Sequence, residues 1–159
     1  MNPWFNIHTA RGNAKLYSLK EENDEHLALV YGEMHNNILI RIQSECVMGD
    51  VFWTNHCSCR EELHSSLVEI SKAGGIIFYL RQEGKGVGLK KKIQTLLLEE
   101  KEWIDEFQVY EKLWLKDERS YGVVATFLND NGIDTIQMRS NNNGKVSQLR
   151  EAWISVTVL

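Results

Sequence analysis

All three cysteines of the chain lie between positions 46 and 59, in the stretch Cys46-Val-Met-Gly-Asp-Val-Phe-Trp-Thr-Asn-His-Cys57-Ser-Cys59. Thiolates are soft ligands that suit zinc, with Zn–S near ~2.3 Å. A turn at Cys57-Ser58-Cys59 aims two sulfurs at one ion, and Cys46 closes from the end of a preceding strand. Three protein ligands leave one tetrahedral position open, which is the pattern of catalytic zinc; structural zinc is usually closed by four. His56 is a candidate for that fourth place and would make the site structural. The plain alternative is three buried or idle thiols.

A second group is the loop Arg81-Gln-Glu-Gly-Lys-Gly-Val-Gly-Leu89. Gly84, Gly86 and Gly88 sit between an expected strand and an expected helix. Such a loop lets backbone N–H groups approach phosphate oxygens at a positive helix end. It is neither the P-loop nor the dinucleotide fingerprint. Arg81 and Lys85 add cations to it. Glu83 does not suit a phosphate, but a carboxylate can accept two N–H bonds from a guanine edge. Two further polar groups follow. Asp117-Glu-Arg119 precedes an expected helix, where Asp117 serves at least as an N-cap. Ser140-Asn-Asn-Asn-Gly-Lys145 gathers a hydroxyl, amides and an ammonium around a turn, a set that would hold phosphate.

Elements that would position these groups are read from the hydrophobic pattern. His26–Gly32 and Ile38–Ile42 have strand composition with a polar turn at Glu33–Asn37, so a hairpin is expected. Leu63, Leu67 and Ile70 recur at helical spacing until Gly74-Gly75. Ile76–Leu80 is a short continuous apolar run that reads as a central strand. A helix is expected over Leu89–Glu102, another over Arg119–Asn131, a strand over Asp134–Met138, a short helix from Lys145 and a final strand over Trp153–Val158. Residues 103–116 carry no clear pattern. Residues 1–25 are weakly patterned, with a short possible strand at Ala14–Tyr17. Alternating strands and helices imply an α/β fold (with α+β as the alternative): a single domain over residues 1–159, built on a mixed β-sheet with flanking helices.

The bounds are those of an ordinary soluble protein. The chain has 159 residues, 43% of them hydrophobic and 25% charged. A net charge of −4 argues against a general nucleic-acid binder, which would be basic. No apolar run is long enough to span a bilayer, and no basic-then-apolar leader opens the chain. Three cysteines cannot all pair within one chain, so a reducing cytoplasm and a metal are the expectation.

Five features occur in one order: Arg41-Ile-Gln-Ser-Glu-Cys46, the cysteine trio, Arg81-Gln-Glu-Gly84 with Gly88-Leu89, Asp117-Glu-Arg119, and Ser140-Asn-Asn with Lys145. Together they resemble the GTP cyclohydrolase II family over about His26 to Val158. The resemblance implies a hydrolase that opens the imidazole ring of GTP, removes C8 as formate and releases pyrophosphate. The product is a diaminopyrimidinone ribosyl phosphate, the entry to riboflavin synthesis. It implies zinc on Cys46, Cys57 and Cys59, activating water for attack at C8. Arg119 matches the position proposed as nucleophile on the α-phosphorus, or else stabilises phosphoryl charge, and Asp117 the proposed proton acceptor. Arg41, Ile42, Gln43, Ser44, Glu45, Glu62, Glu83, Gly84, Lys85, Ser140 and Lys145 match nucleotide contacts. Mg²⁺ on the phosphates and a homodimer are also implied.

The chain departs from the family pattern at several of these places. Gln43 stands for a histidine, His56 for an arginine, Ser58 for an acid, Glu62 for a glutamine and Lys85 for an arginine. Leu96 stands where a tyrosine is usual, and a threonine position falls on Asp105. The sequence also ends at Leu159, ahead of the family's usual tail. The expectation is a divergent member that opens the ring but releases formate poorly. The alternatives are a related hydrolase of another purine nucleotide and a non-catalytic nucleotide- or zinc-binding homologue.

Overall fold

The computed structural model describes residues 3–21, 24–140 and 142–159. Asn141, part of the expected polar loop, lies outside them, as do four positions of the first 25 residues. In chain order the elements are β1 (Trp4–Thr9), β2 (Gly12–Glu21), β3 (Asp24–Tyr31), β4 (Ile38–Ser44), α1 (Val47–Asp50), α2 (Cys59–Ala73), β5 (Gly75–Leu80), α3 (Leu89–Glu102), α4 (Glu106–Lys112), α5 (Gly122–Asp130), β6 (Thr135–Met138), α6 (Asn143–Glu151) and β7 (Ser155–Val158). Among the described residues the strands form one seven-stranded sheet in the order β1-β2-β3-β5-β4-β6-β7. The first four in that order pair antiparallel, and β5, β4, β6 and β7 pair parallel. The architecture is the expected mixed sheet with flanking helices.

Period-two alternation splits β2, β3, β4 and β5 between two cores. Ile38, Ile40 and Ile42 of β4 join Phe78, Val124, Phe127, Leu128 and Leu149 in the larger core, under α5 and α6. The Phe127 ring meets Tyr17 and Phe78 edge-on, at centroid distances of 5.2 Å and 5.6 Å. Ile70 and Ile77, with Leu39, Leu63 and Leu67, form the smaller core under α2. Arg41 and Gln43 therefore share the α2 face with Leu39.

The expected β3–β4 hairpin does not form. β5 lies between the two strands, antiparallel to β3 (Leu27↔Tyr79) and parallel to β4 (Ile42↔Phe78). Its apolar run is buried nearly throughout, so it takes the central place and needs partners on both edges. The polar turn before β4 bonds elsewhere: the Asn37 N–H donates to the Thr135 carbonyl at 2.7 Å, and Asn36 Oδ1 accepts from the Asp134 N–H at 2.9 Å. Residues 1–25, weakly patterned in sequence, take regular structure where they are described: β1, β2 and β3 make an antiparallel meander, and β2 contains the possible strand at Ala14–Tyr17. Lysines interrupt the apolar alternation of β2, which masks it in the sequence, yet Ala14, Tyr17 and Leu19 are buried.

One helix start moves and one further helix is present. The helix expected from Arg119 begins at Gly122, which leaves Asp117–Tyr121 as irregular chain. Residues 103–116 contain α4, opened by a reciprocal Asp105–Gln108 capping box. No helix among the described residues is long and apolar enough to cross a membrane.

Candidate metal and nucleotide site

The parallel β4–β5 pairing brings two chain ends to the same edge of the sheet. Ser44 lies opposite Leu80, so Glu45-Cys46 and Arg81–Gly84 leave the sheet side by side. Open sheets of this kind bind ligands outside the carboxyl ends of parallel strands. Cys46 caps α1, and Cys59 is the first residue of α2. With Cys57 they form a cluster whose sulfurs all lie within 4.8 Å of one another. Cys46 Sγ and Cys57 Sγ are 3.6 Å apart. His56 does not join this group; among the described residues the cluster holds the three sulfurs alone.

The cluster's surroundings fit a cation. A Cβ at Gly49 would stand 3.0 Å from Cys57 Sγ and 3.3 Å from Cys46 Sγ, so a side chain there would crowd the sulfurs against α1. The Gly49 N–H points at Cys46 Sγ at 3.4 Å. Burial opposes ionisation of Cys46, but the Lys92 ammonium and the Gly49 N–H outweigh it and hold this thiol below its ordinary pKa. Burial, followed by the two neighbouring sulfurs, pushes Cys59 up. Three thiolates this close repel one another, and a divalent cation removes that repulsion.

A cavity of about 430 Å³ opens beside the sulfurs. Ser44, Glu45, Gly84, Lys85 and Arg119 line it together with the three cysteines, as do Leu96 and His56. Leu96, His56 and Glu99 also line an adjoining apolar groove of about 500 Å³ with Met48, Ile93 and Leu97. Leucine at position 96 thus sits on the border of the two spaces.

The glycine loop is held from two sides. Gly84 and Lys85 both adopt left-handed backbone, with φ of 62° and 59°. A Cβ on Gly86 would come 2.8 Å from the Glu118 carbonyl carbon, so glycine lets the Asp117–Arg119 segment lie against the loop. On the other side the Tyr110 hydroxyl donates to the Gly84 carbonyl at 3.0 Å. Lys85 Nζ pairs with Glu106 at 2.8 Å and lies 4.6 Å from the Tyr110 ring centroid. Tyr110 and Glu106 belong to α4, which the sequence pattern left unassigned.

Asp117 is not a helix cap. Its carboxylate takes a two-pronged pair from Arg119, with Nε donating to Oδ1 at 2.8 Å and Nη2 to Oδ2. That pair holds Asp117 below the usual carboxylate pKa and Arg119 above the usual guanidinium one. Arg41 is similarly engaged. It donates through Nε and Nη2 to Gln43 Oε1 at 3.2 Å and 2.8 Å, and it pairs with Glu62 at 2.5 Å. Ser58 Oγ donates to the other Glu62 oxygen at 2.7 Å, and Gln43 Nε2 donates to the Cys59 carbonyl at 3.3 Å. Burial opposes ionisation of Glu62, but the bonds from Ser58 and Arg41 hold its carboxyl below the ordinary range. The departures Gln43, Ser58 and Glu62 thus form one network around Arg41.

Glu45 Oε2 accepts from Arg81 Nε at 3.0 Å, and Ser44 Oγ accepts from Gln82 Nε2 at 3.1 Å. Lys145 is buried; its Nζ donates to the Ile42 carbonyl at 2.9 Å. Burial, followed by the charges of Arg41 and Arg119, lowers its pKa to about 8. Ile42 itself is in the core, so only its backbone can take part in a site. Ser140 Oγ accepts from the Asn142 N–H at 3.1 Å, within the loop before α6.

Glu83 departs from its expected role. Its Oε2 accepts from the Val47 N–H at 2.7 Å, and its Oε1 from the Gly84 N–H at 3.0 Å and from Lys92 Nζ at 2.7 Å. A carboxylate so engaged does not offer two free oxygens to a guanine edge. The sequence pattern also leaves Gly49 and Lys92 unmarked. Gly49 has only the signal of a lone glycine between two cysteines, whereas Lys92 is one of three consecutive lysines with nothing to show which one turns inward.

Gly49→Ala should abolish tight metal uptake while leaving the sheet intact. Metal content per chain, measured beside far-ultraviolet circular dichroism, checks this; full uptake by the variant would contradict the crowding of the sulfurs.

The profile of the GTP cyclohydrolase II family matches residues 4–158. The riboflavin biosynthesis protein RibBA of Bacillus velezensis is 37% identical over 153 residues, which cover 92% of this chain and 38% of that protein. RibBA of Bacillus mycoides is 38% identical over 145 residues, covering 89% of this chain and 36% of its own. The chain thus spans little more than a third of the curated relatives it matches. A solved structure, RibBX, a two domain 3,4-dihydroxy-2-butanone 4-phosphate synthase from A. baumannii, shares the fold at 20% identity and a TM-score of 0.53, over 99% of this chain and 39% of that one. With its ordered motifs and cysteine cluster accounted for, the chain belongs to the GTP cyclohydrolase II family.

Proposed function

We propose that this protein is a zinc-dependent hydrolase that opens the imidazole ring of GTP and releases pyrophosphate. The observation that carries this reading is the cluster of Cys46, Cys57 and Cys59 at the wall of a cavity that Arg119 and the glycine loop also line. Cys46, Cys57 and Cys59 would hold zinc, which when bound would supply Lewis-acid activation of water for attack at C8 of the purine. The chain's own residues bind and orient the nucleotide. Lys85 and Arg119 face its phosphates, whose Mg²⁺ is a hard ion held by oxygen. Lys145 adds a buried cation beside Arg41. Arg119, kept as a guanidinium by Asp117, acts by stabilising charge at the α-phosphorus and not as a nucleophile. The Ser44 hydroxyl and the backbone of Ile42 and Gly84 complete the binding set, with Glu45, Gln43, Glu62, Glu83 and Ser140 positioning it. The reading takes the chain as one catalytic domain, working as a homodimer in the cytoplasm.

Leu96 shapes the outcome. A tyrosine there would hold a water or donate a proton; a leucine does neither. Ring opening then runs ahead of formate release, and a formamidopyrimidine accumulates. A second reading, hydrolysis of another purine nucleotide, is favoured by the engagement of Arg41 with Gln43 and Glu62. One experiment separates these. Zinc-replete protein is incubated with Mg²⁺ and GTP, or with other purine triphosphates, and pyrophosphate, formate and product mass are followed together. The expected result is pyrophosphate from GTP with a formyl-retaining product, and Leu96→Tyr shifting that product toward free formate. Stoichiometric formate from the unaltered chain would overturn the product assignment, and consumption of a different nucleotide alone would overturn the substrate.

Lys145 gives the pH dependence its sign. A lysine whose pKa is lowered to about 8 is a cation below that pH and neutral above it. Nucleotide binding should be strongest below about pH 8 and weaken as pH rises through it. Lys145→Met should bind more weakly below about pH 8, lack this step and converge on the unaltered protein above it, as read from GTP dissociation constants across the range.

A further inference from the structure

Lys92 is the third of three consecutive lysines at the start of α3. Lys90 and Lys91 are exposed, while the Lys92 side chain is only 21% exposed. Its Nζ donates to Cys46 Sγ at 3.1 Å and to Glu83 Oε1 at 2.7 Å. The passage for its stem is built into the fold. A Cβ on Gly84 would stand 3.0 Å from the Lys92 Cβ, so glycine there lets α3 approach the loop. Glu83 is fixed in turn by the Val47 and Gly84 N–H groups. These two contacts stabilise and fix its carboxylate, so it anchors the ammonium where that group meets Cys46 Sγ.

We propose that Lys92 is a positioning residue of the three-sulfur centre: anchored by Glu83, its ammonium fixes Cys46 and balances the negative charge of three thiolates around a divalent ion. This rests on the reading of the cysteine trio as a metal site. Three thiolates and one divalent cation leave a net charge of one negative unit, in a place only partly open to water. An uncompensated charge there is costly. A hydrogen bond from an ammonium to one of the sulfurs also withdraws electron density from it and so tunes the metal. The carboxylate expected to read the nucleotide base instead holds the lysine that holds the sulfur.

The test uses the full chain with Lys92→Met, Lys92→Arg and Glu83→Gln, titrated with zinc against a chromophoric chelator and, separately, loaded with cobalt(II). Lys92→Met should bind zinc roughly 10–100-fold more weakly, the range found when outer partners of metal ligands are removed. Its sulfur-to-cobalt absorption should move to longer wavelength, because a sulfur without the ammonium gives up electron density more readily. Lys92→Arg, which keeps the charge, should stay close to the unaltered protein. Glu83→Gln frees the ammonium and should shift the band in the same direction by less. If Lys92→Met does not fold by circular dichroism, the Glu83→Gln band decides. An unmoved band in the folded variants overturns the proposal, even where affinity falls, since that is what a merely structural lysine would give. Unaltered protein that takes up neither zinc nor cobalt overturns the metal reading itself, and the role of Lys92 with it.

Discussion

The parallel register of β4 on β5 is the constraint on which the rest depends. With Ile42 opposite Phe78 and Ser44 opposite Leu80, two chain ends leave the sheet at one point. Cys46 and the glycine loop are adjacent only because of that register. A slip of one residue would turn Ile40 and Ile42 out of the larger core and drive Arg41 and Gln43 into it. The buried aliphatic face of β4 therefore sets the site as firmly as any polar contact does. The cost of placing the Arg41 guanidinium in an apolar core, and of parting Gln43 from its bonds to Arg41 and the Cys59 carbonyl, opposes the alternative register.

Around this frame the charges are arranged in pairs. Arg41 meets Glu62, Arg119 meets Asp117, Lys85 meets Glu106, and Lys92 meets both Glu83 and Cys46. The pairs differ in exposure and so in consequence. Glu106 is 54% exposed, so its hold on Lys85 is weak. Glu83 is 9% exposed and carries two backbone N–H bonds, so its hold on Lys92 is firm. Lys145 is buried and its ammonium donates to the backbone carbonyl of Ile42.

The sequence made some of this legible for identifiable reasons. The cysteine cluster was readable because all three cysteines fall in one stretch. Ile76–Leu80 was readable as a central strand because a continuous apolar run needs both faces covered. The bounds of α3 were readable from Gly88 before it and the end of its Lys/Leu/Glu run at Trp103. Strand order was not, because a polar turn between two apolar runs looks the same whether the strands pair or admit a third. The inward turn of Lys92 was not, because three lysines in a row hide which one meets the sulfurs. The role of Glu83 depended on Lys92 and was hidden with it. The Arg41–Glu62 pair joins residues on different elements, and only the packing of α2 against β4 brings them together.

Zinc X-ray absorption on the metal-loaded chain tests the central claim most directly, in the unaltered protein and in His56→Ala. The account predicts three sulfurs at about 2.3 Å and one lighter atom at about 2.0–2.1 Å, unchanged when His56 is replaced. A shell without sulfur, or one that loses its lighter ligand in His56→Ala, would contradict it.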